Sequence, residues 1–223
     1  MNRIECITSM IQPCTVLADI GSDHGLLPVL AVQKGLAQKA YACDIAKGPL
    51  ESAAKNIEQY GLQQHISTIL SNGFEHVPQD IQCAVIAGMG CKTAIGILEQ
   101  GERHICSLQQ ILVEVNNDVE QFRYWLSSKH YTIMEERVIE DRGHEYICIS
   151  FSPLYHEEYT PQQCVLGPYL MEHPDTYYLQ YCRHRAEKLA FILSKRKDDS
   201  EETMELQKRY QWYLEASQQE QGV

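Results

Sequence analysis

The sequence has no apolar run near the ~20 residues of a membrane-spanning helix, no C-x-x-C pair, no G-x-G-x-x-G turn and no surplus of basic charge. Each absence excludes something. Without a spanning run or a signal-peptide pattern, the expected setting is the cytoplasm, with no membrane partner. The nine cysteines are odd in number and scattered, so reduced, mostly buried thiols are expected rather than a disulfide framework, a zinc site or a redox motif. A net charge of −11 argues against nucleic acid as the obvious partner. Internal repeats and low-complexity tracts are also missing. What is present is ordinary for a globular protein: 223 residues, 44% hydrophobic and 22% charged, enough for one substantial core and a small appendage.

The most informative stretch is Leu17-Ala18-Asp19-Ile20-Gly21-Ser22-Asp23-His24-Gly25-Leu26-Leu27-Pro28. Thr15 to Ala18 reads as a buried strand and Leu26 to Val32 as a helix, with Pro28 tolerated near the helix start. Glycines in the turn between them let the backbone bend sharply and let a ligand approach closely. Asp19 and Asp23 would repel a phosphate. They suit a cationic, hydroxyl-bearing ligand, of which S-adenosylmethionine is one. The turn by itself also fits a plain helix-capping loop. Asp44, ending the strand-like run Ala40 to Cys43, stands about 20 residues further on, where a ribose-binding acid is expected. NAD-binding domains share that acid, but here Asp23 stands where their second glycine would be.

Strand–helix alternation continues. A lead-in helix is expected over Ile4–Ile11, and a helix formed by Gly48-Pro49 and Leu50–Tyr60 is stopped by Gly61. A third strand, Ile66–Leu70, runs into Asn72-Gly73. The fourth strand ends in Gly88-Met89-Gly90, with a helix from Thr93 to about Glu99. The fifth, Ile111–Val115, is followed by Asn116, Asn117 and Asp118, the last a plausible N-cap. Tyr131–Ile139 and Tyr146–Phe151 face each other across a short link and must pair antiparallel. The expected fold is α/β: a doubly wound sheet with an antiparallel edge hairpin, its candidate residues at the carboxyl ends of the strands.

Pro153 to Pro161 reads as a linker, which divides the chain into domains over 1–152 and 153–223. Beyond it, Leu179, Cys182, Ala186, Leu189 and Leu193 step by three and four, as do Leu206, Tyr210 and Tyr213. That is the pattern of a two-helix antiparallel coiled coil. Charge divides unevenly: residues 1–150 carry −7, residues 151–180 carry −4 and residues 181–223 carry zero. A structural or dimerising hairpin is the plain reading of this segment, which is nevertheless the least hostile surface for a polyanion.

Together these residues resemble the TrmK family of bacterial tRNA adenine-22 N1-methyltransferases. The resemblance is carried by Ala18-Asp19-Ile20-Gly21-Ser22-Asp23-His24, Asp44, Ala53-Ala54-Lys55-Asn56, Asn72-Gly73, Ile86-Ala87-Gly88-Met89-Gly90, Asn116, Arg123-Tyr124-Trp125-Leu126, Glu145-Tyr146 and Gly167-Pro168-Tyr169-Leu170. It implies a class I, Rossmann-like methyltransferase domain with a C-terminal helical hairpin, S-adenosyl-L-methionine as cofactor and tRNA as partner. Asp19, Gly21, Ser22, Asp23 and His24 would then surround the methionine part of the cofactor, Asp44 and Ile45 its ribose, and Asn72 and Gly73 its adenine. Gly88 would adjoin the cofactor, and Met89, Gly90, Glu114 and Asn116 the incoming base. Arg183, Arg185, Lys188, Lys195 and Lys197, beside the apolar seam, would reach solvent and contact phosphates. The sequence departs from the family at Cys91, at Glu114-Val115 and at Gly25-Leu26. The first two departures fall on the substrate side and bear on target identity.

Such chemistry needs no catalytic triad and no metal. Adenine N1 keeps its lone pair at neutral pH, so catalysis rests on positioning and desolvation. Glu114 could accept a hydrogen bond from the exocyclic amino group in place of the family's Gln. Two other functions fit less of the pattern: a methyltransferase of this fold acting on another RNA or a small molecule, and a non-catalytic cofactor-binding scaffold. A monomer is favoured over an oligomer.

Overall fold

The fold is taken from a computed structural model that describes residues 2–196 and 198–219. Helix α1 (Arg3–Ser9) opens the chain. Asn2 caps it, accepting from Glu5 N–H, while the Glu5 carboxylate accepts from Asn2 N–H. This reciprocal box starts the helix before the expected Ile4. Then follow β1 (Cys14–Ile20), α2 (Leu26–Gln33), β2 (Ala37–Asp44), α3 (Lys47–Gln59), β3 (Ile66–Leu70), β4 (Cys83–Met89), α4 (Cys91–Gln100), α5 (Glu102–Ile105), β5 (Gln110–Val115) and α6 (Val119–Ser128). The long hairpin β6 (Tyr131–Asp141) and β7 (His144–His156) closes the sheet, and α7 (Pro161–Leu166), α8 (Pro168–Glu172), α9 (Thr176–Lys195) and α10 (Glu201–Ala216) follow.

The sheet order is β3-β2-β1-β4-β5-β7-β6, with β1 to β5 parallel and β6 and β7 antiparallel. This is the expected doubly wound sheet with its antiparallel edge. Helices cover both faces, so the central strands are apolar on both sides. Val16, Ala18, Ile86 and Val113 pack on one face with Phe122 and Leu126 of α6. Leu17, Val85 and Leu112 pack on the other with Ile7 of α1 and Ile57 of α3. Strand order reverses between β1 and β4, and the crevice at their carboxyl ends is where such sheets bind ligands.

Four details differ from the sequence reading. Helix α3 begins at Lys47, one residue before the expected Gly48, with Pro49 accommodated within its first turn. The β6–β7 link shrinks to Arg142-Gly143, both at positive φ (51° and 76°), the geometry of a tight hairpin turn. Asp118 stands at the N-cap of α6 but in the left-handed region (φ 51°), and its side chain makes no capping bond. The stretch expected as a linker from Pro153 is still strand as far as His156. Pairing of β7 with β5 ends at Phe151, and a bulge opposite Tyr131–Thr132 lets Pro153, which has no N–H, sit in the continued strand.

The C-terminal segment does form two packed helices. Tyr178, Tyr181, Cys182 and Ala186 of α9 are buried with Thr203, Tyr213 and Ala216 of α10. A fully buried ion pair anchors the segment to the sheet domain: Arg123 Nε donates to Glu136 Oε1 at 2.7 Å. Arg123 Nη1 donates to the carbonyls of Cys164 and Val165, and Glu136 Oε2 accepts from Tyr169 N–H. Gly167 stands between them at φ +97°, where a β-carbon would come within 2.7 Å of both Arg123 Nη2 and Glu136 Oε2.

Candidate active site

Turn β1–α2 brings the acidic residues to the carboxyl edge. Gly21 N–H and Ser22 N–H both donate to the Cys43 carbonyl, at 2.8 and 2.9 Å, which ties the turn to the end of β2. Gly21 has φ +81°, a conformation that favours glycine, and a β-carbon there would fall on the tip of the Met89 side chain, which reaches across from the end of β4. Asp23, at φ 49°, donates its N–H to Asp44 Oδ2 at 3.4 Å, and Ala46 N–H donates to Asp44 Oδ1 at 2.9 Å. His24 and Asp23 are exposed neighbours, Nε2 to Oδ2 3.4 Å, and the His24 carbonyl accepts from Asn56 Nδ2. Asp19 is buried at the end of β1. Burial raises its pKa to about 7, the nearby Asp44 charge pushes the same way, and the Ser22 hydroxyl opposes both.

On the other side of Met89, the end of β4 is gripped by β5. The β4–β5 register slips between Ala87 and Met89, and the intervening Gly88 adopts φ +76°. Glu114 Oε2 accepts from Gly88 N–H at 2.8 Å, and Asn116 Nδ2 donates to the Gly88 carbonyl at 2.7 Å. Asn116 N–H donates to the Met89 carbonyl, and Asn117 Oδ1 accepts from Cys91 N–H. Four bonds thus fix the segment from Gly88 to Cys91, and Met89 carries it against Gly21.

A model of the family described as Methyltransferase domain matches residues 1–149. The curated tRNA (adenine(22)-N(1))-methyltransferase of Bacillus subtilis is 33% identical over 145 residues, covering 65% of this chain and 61% of that protein. The match therefore spans about three fifths of the length of that relative. Mycoplasma capricolum TrmK, solved with S-adenosyl-homocysteine, superposes with a TM-score of 0.83 at 29% identity, covering 96% of this chain and 95% of that one. Sp1610 of Streptococcus pneumoniae, solved with S-adenosyl-L-methionine, gives 0.87 at 28% identity, covering 97% and 100%.

The chain belongs to the TrmK family of methyltransferases. Most of the residues named from the family pattern line one edge: Asp19, Gly21, Ser22, Asp23, His24, Asp44 and Ile45 from the first two strands, Gly88, Met89, Gly90 and Asn116 from the fourth and fifth. Ile45 is well exposed, and Asn72 is exposed beyond β3, where Gly73 packs near Ile97. Glu114 differs from its expectation. Its side chain is completely buried and spends Oε2 on Gly88, so it works beneath the loop instead of facing an incoming base.

The cationic face of α9 also differs in part. Arg183, Lys188 and Lys195 are exposed, Lys195 resting over the Phe191 ring. Arg185 is half-buried, its guanidinium 4.9 Å from the Tyr181 ring centroid, so it packs where free access to solvent was expected. Lys197 lies outside the described residues. Between α9 and the tip of the β6–β7 hairpin runs a groove of about 1160 Å³, whose walls include Asn116, His144, Tyr146, Arg185, Lys188 and Phe191.

Sequence reasoning missed Arg3. Its guanidinium lies 4.9 Å from the Tyr146 ring centroid, with Nη1 3.6 Å from Glu114 Oε2. The available signal was the Asn2…Glu5 capping box, which sets Arg3 in the first turn of α1.

Proposed function

We propose that the chain methylates N1 of adenosine 22 in tRNA, with S-adenosyl-L-methionine as donor. The observation that carries this is the Gly88–Cys91 segment, gripped by β5 on one side and pressed against the Gly21 turn on the other. The cradle fits the cofactor: a buried carboxylate at Asp19, an acid at the end of β2 and a close approach that a β-carbon at Gly21 would fill. Asp19 would hold the ammonium group and Asp44 the ribose hydroxyls. When bound, the cofactor supplies an electrophilic methyl group.

The chain's own residues then have little to do beyond placement. Adenine N1 would attack the methyl carbon with its own lone pair as the carbon–sulfur bond breaks and S-adenosylhomocysteine leaves, so no side chain has to remove a proton first. Asn116 is oriented by the bond from its Nδ2 to the Gly88 carbonyl. That orientation turns its Oδ1 to the opposite side, where it accepts from the exocyclic amino group as positive charge develops on the ring. Exclusion of water and alignment of two bound partners supply the rest. The target base has to leave its stack to enter, at a cost of a few kcal/mol.

We assign catalysis to residues 1–152 and tRNA positioning to residues 153–223, in a cytoplasmic monomer. Arg183, Lys188 and Lys195 would make phosphate contacts, which orient the RNA without reading its sequence. The test is transfer of labelled methyl from S-adenosylmethionine to unmodified tRNA and to the same tRNA with G at position 22. N1-methyladenosine in the first and no label in the second is expected. Label at another base, or on neither RNA, would overturn the assignment.

A further inference from the structure

Arg3 has a place in the site that the cofactor and the target base do not account for. It sits in the first turn of a helix at the far end of the sequence from β5, yet its guanidinium reaches the buried carboxylate of Glu114. The helix is held there by more than this contact. Gln110, four residues before Glu114 and on the same face of β5, donates to the Met10 carbonyl at 2.8 Å and accepts from Gln12 N–H at 2.9 Å. Thus one β5 side chain fixes the end of α1, and another meets its beginning.

Glu114 is a costly residue in this position. Its side chain has no solvent exposure, Oε1 is buried without a hydrogen-bond donor, and Oε2 is committed to Gly88 N–H. A buried carboxylate in that state protonates unless a cation compensates it, and a carboxylate binds an N–H donor more strongly than the neutral acid does. Among the described residues, the cation that faces it is Arg3, and the Cys148 thiol on β7 is a further ionisable neighbour. Gly88 depends on that bond because its backbone is left-handed and out of register with β5.

We propose that Arg3 is a positioning residue for methyl transfer: it keeps Glu114 ionised, and Glu114 holds the Gly88–Gly90 loop in the shape that seats the target base. Arg3 acts through Glu114 and touches neither cofactor nor RNA. The Tyr146 ring beneath the guanidinium limits where that charge can go. This proposal rests on the assignment of Gly88–Gly90 to the acceptor side.

The test is a double-variant cycle of Arg3→Met and Glu114→Gln, read by kcat, by the KM for tRNA and S-adenosylmethionine, and by hydrogen exchange of the Gly88 amide. Arg3→Met should lower kcat about tenfold while leaving the KM for S-adenosylmethionine within about twofold. Glu114→Gln should lower kcat by a similar factor, because a neutral amide oxygen holds Gly88 N–H more weakly than the carboxylate does. The double variant should be no worse than either single variant, a non-additivity that independent losses of packing would not give. Multiplicative losses in the double variant, or a salt slope for tRNA binding flattened by about one unit in Arg3→Met, would mean that Arg3 contacts RNA directly and would overturn the proposal. Gly88 exchange reads the same bond without substrate. Faster exchange to about the same extent in Arg3→Met, in Glu114→Gln and in the double variant supports the proposal; unchanged protection in Arg3→Met overturns it. Absence of wild-type activity on tRNA would strike the substrate assignment, while the exchange result would still decide the role of Arg3.

Discussion

The pH dependence of cofactor binding should be set by Asp19. In the free protein burial holds this carboxyl near a pKa of about 7, against an ordinary 3.8, with the Asp44 charge adding to the shift and the Ser22 hydroxyl offsetting part of it. The Cys43 thiol beside it is itself pushed up to about 12 by burial and stays neutral. Ionising Asp19 in the folded protein thus costs about 4 kcal/mol more than in water. An ammonium group brought against it would recover much of that cost, so the cofactor binds the ionised form. Between pH 6 and pH 8 the ionised fraction rises from about one tenth to about nine tenths, and affinity for S-adenosylmethionine should rise about ninefold. At pH 7 binding should release about half a proton, measurable by calorimetry in two buffers of different ionisation enthalpy.

Stability of the free protein runs the other way. Asp19 holds its proton more tightly folded than unfolded, so unfolding releases a proton between pH 3.8 and about 7. Its contribution to stability therefore falls as pH rises through that window. Asp19→Asn should abolish the proton release, flatten the affinity profile at its low-pH level and stabilise the free protein at pH 8. A flat wild-type affinity profile without proton release would refute the pairing of Asp19 with the cofactor's ammonium group.

Asp44→Ala should weaken S-adenosylmethionine binding about tenfold with the thermal midpoint little changed, since it removes a charge-assisted bond to the ribose; calorimetry reads this directly. Asn116→Ala should cut kcat on tRNA while cofactor affinity stays within about twofold, and a parallel loss of both would place Asn116 in the cofactor pocket. Gly167→Ala should destabilise the fold by about 2–4 kcal/mol in denaturant unfolding, because a β-carbon at φ +97° collides with both members of the Arg123–Glu136 pair. Replacing Arg183 and Lys188 together by Ala should raise the KM for tRNA and flatten its salt slope by up to about two units. Arg185→Ala should instead cost stability through its contact with Tyr181.

The fold was legible where pattern and chemistry coincide. The strand ends at Asp19-Ile20-Gly21 and at Asp44 could be read because glycines and acids punctuate a strand-to-helix turn wherever it occurs in the chain. The β-hairpin could be read because its two apolar runs are separated by too few residues to pair in any other way. Illegible were features that arise only between distant segments. Pro153 looks like a breaker until the bulge opposite Tyr131 makes room for it. Arg185 looks solvent-directed until Tyr181 supplies a ring for its guanidinium. Arg3 and Glu114 stand 111 positions apart in number, and no local period links a helix start to the end of a fifth strand.

The same distinction separates the two buried acids of the candidate site. Asp19 and Glu114 each stand one residue before the end of a strand, both are buried, and burial raises the pKa of each. Asp19 is not paired with a cation of its own chain among the described residues, and the charge it lacks is the one a ligand can bring. Glu114 has its cation already, from α1, and its hydrogen bond already, to Gly88. A carboxylate balanced within the chain is set up to hold backbone, and one left unbalanced is set up to hold a ligand. Sequence shows that an acid stands near the end of a strand. Whether the compensating charge comes from the chain or from outside is decided by which helix packs against that strand.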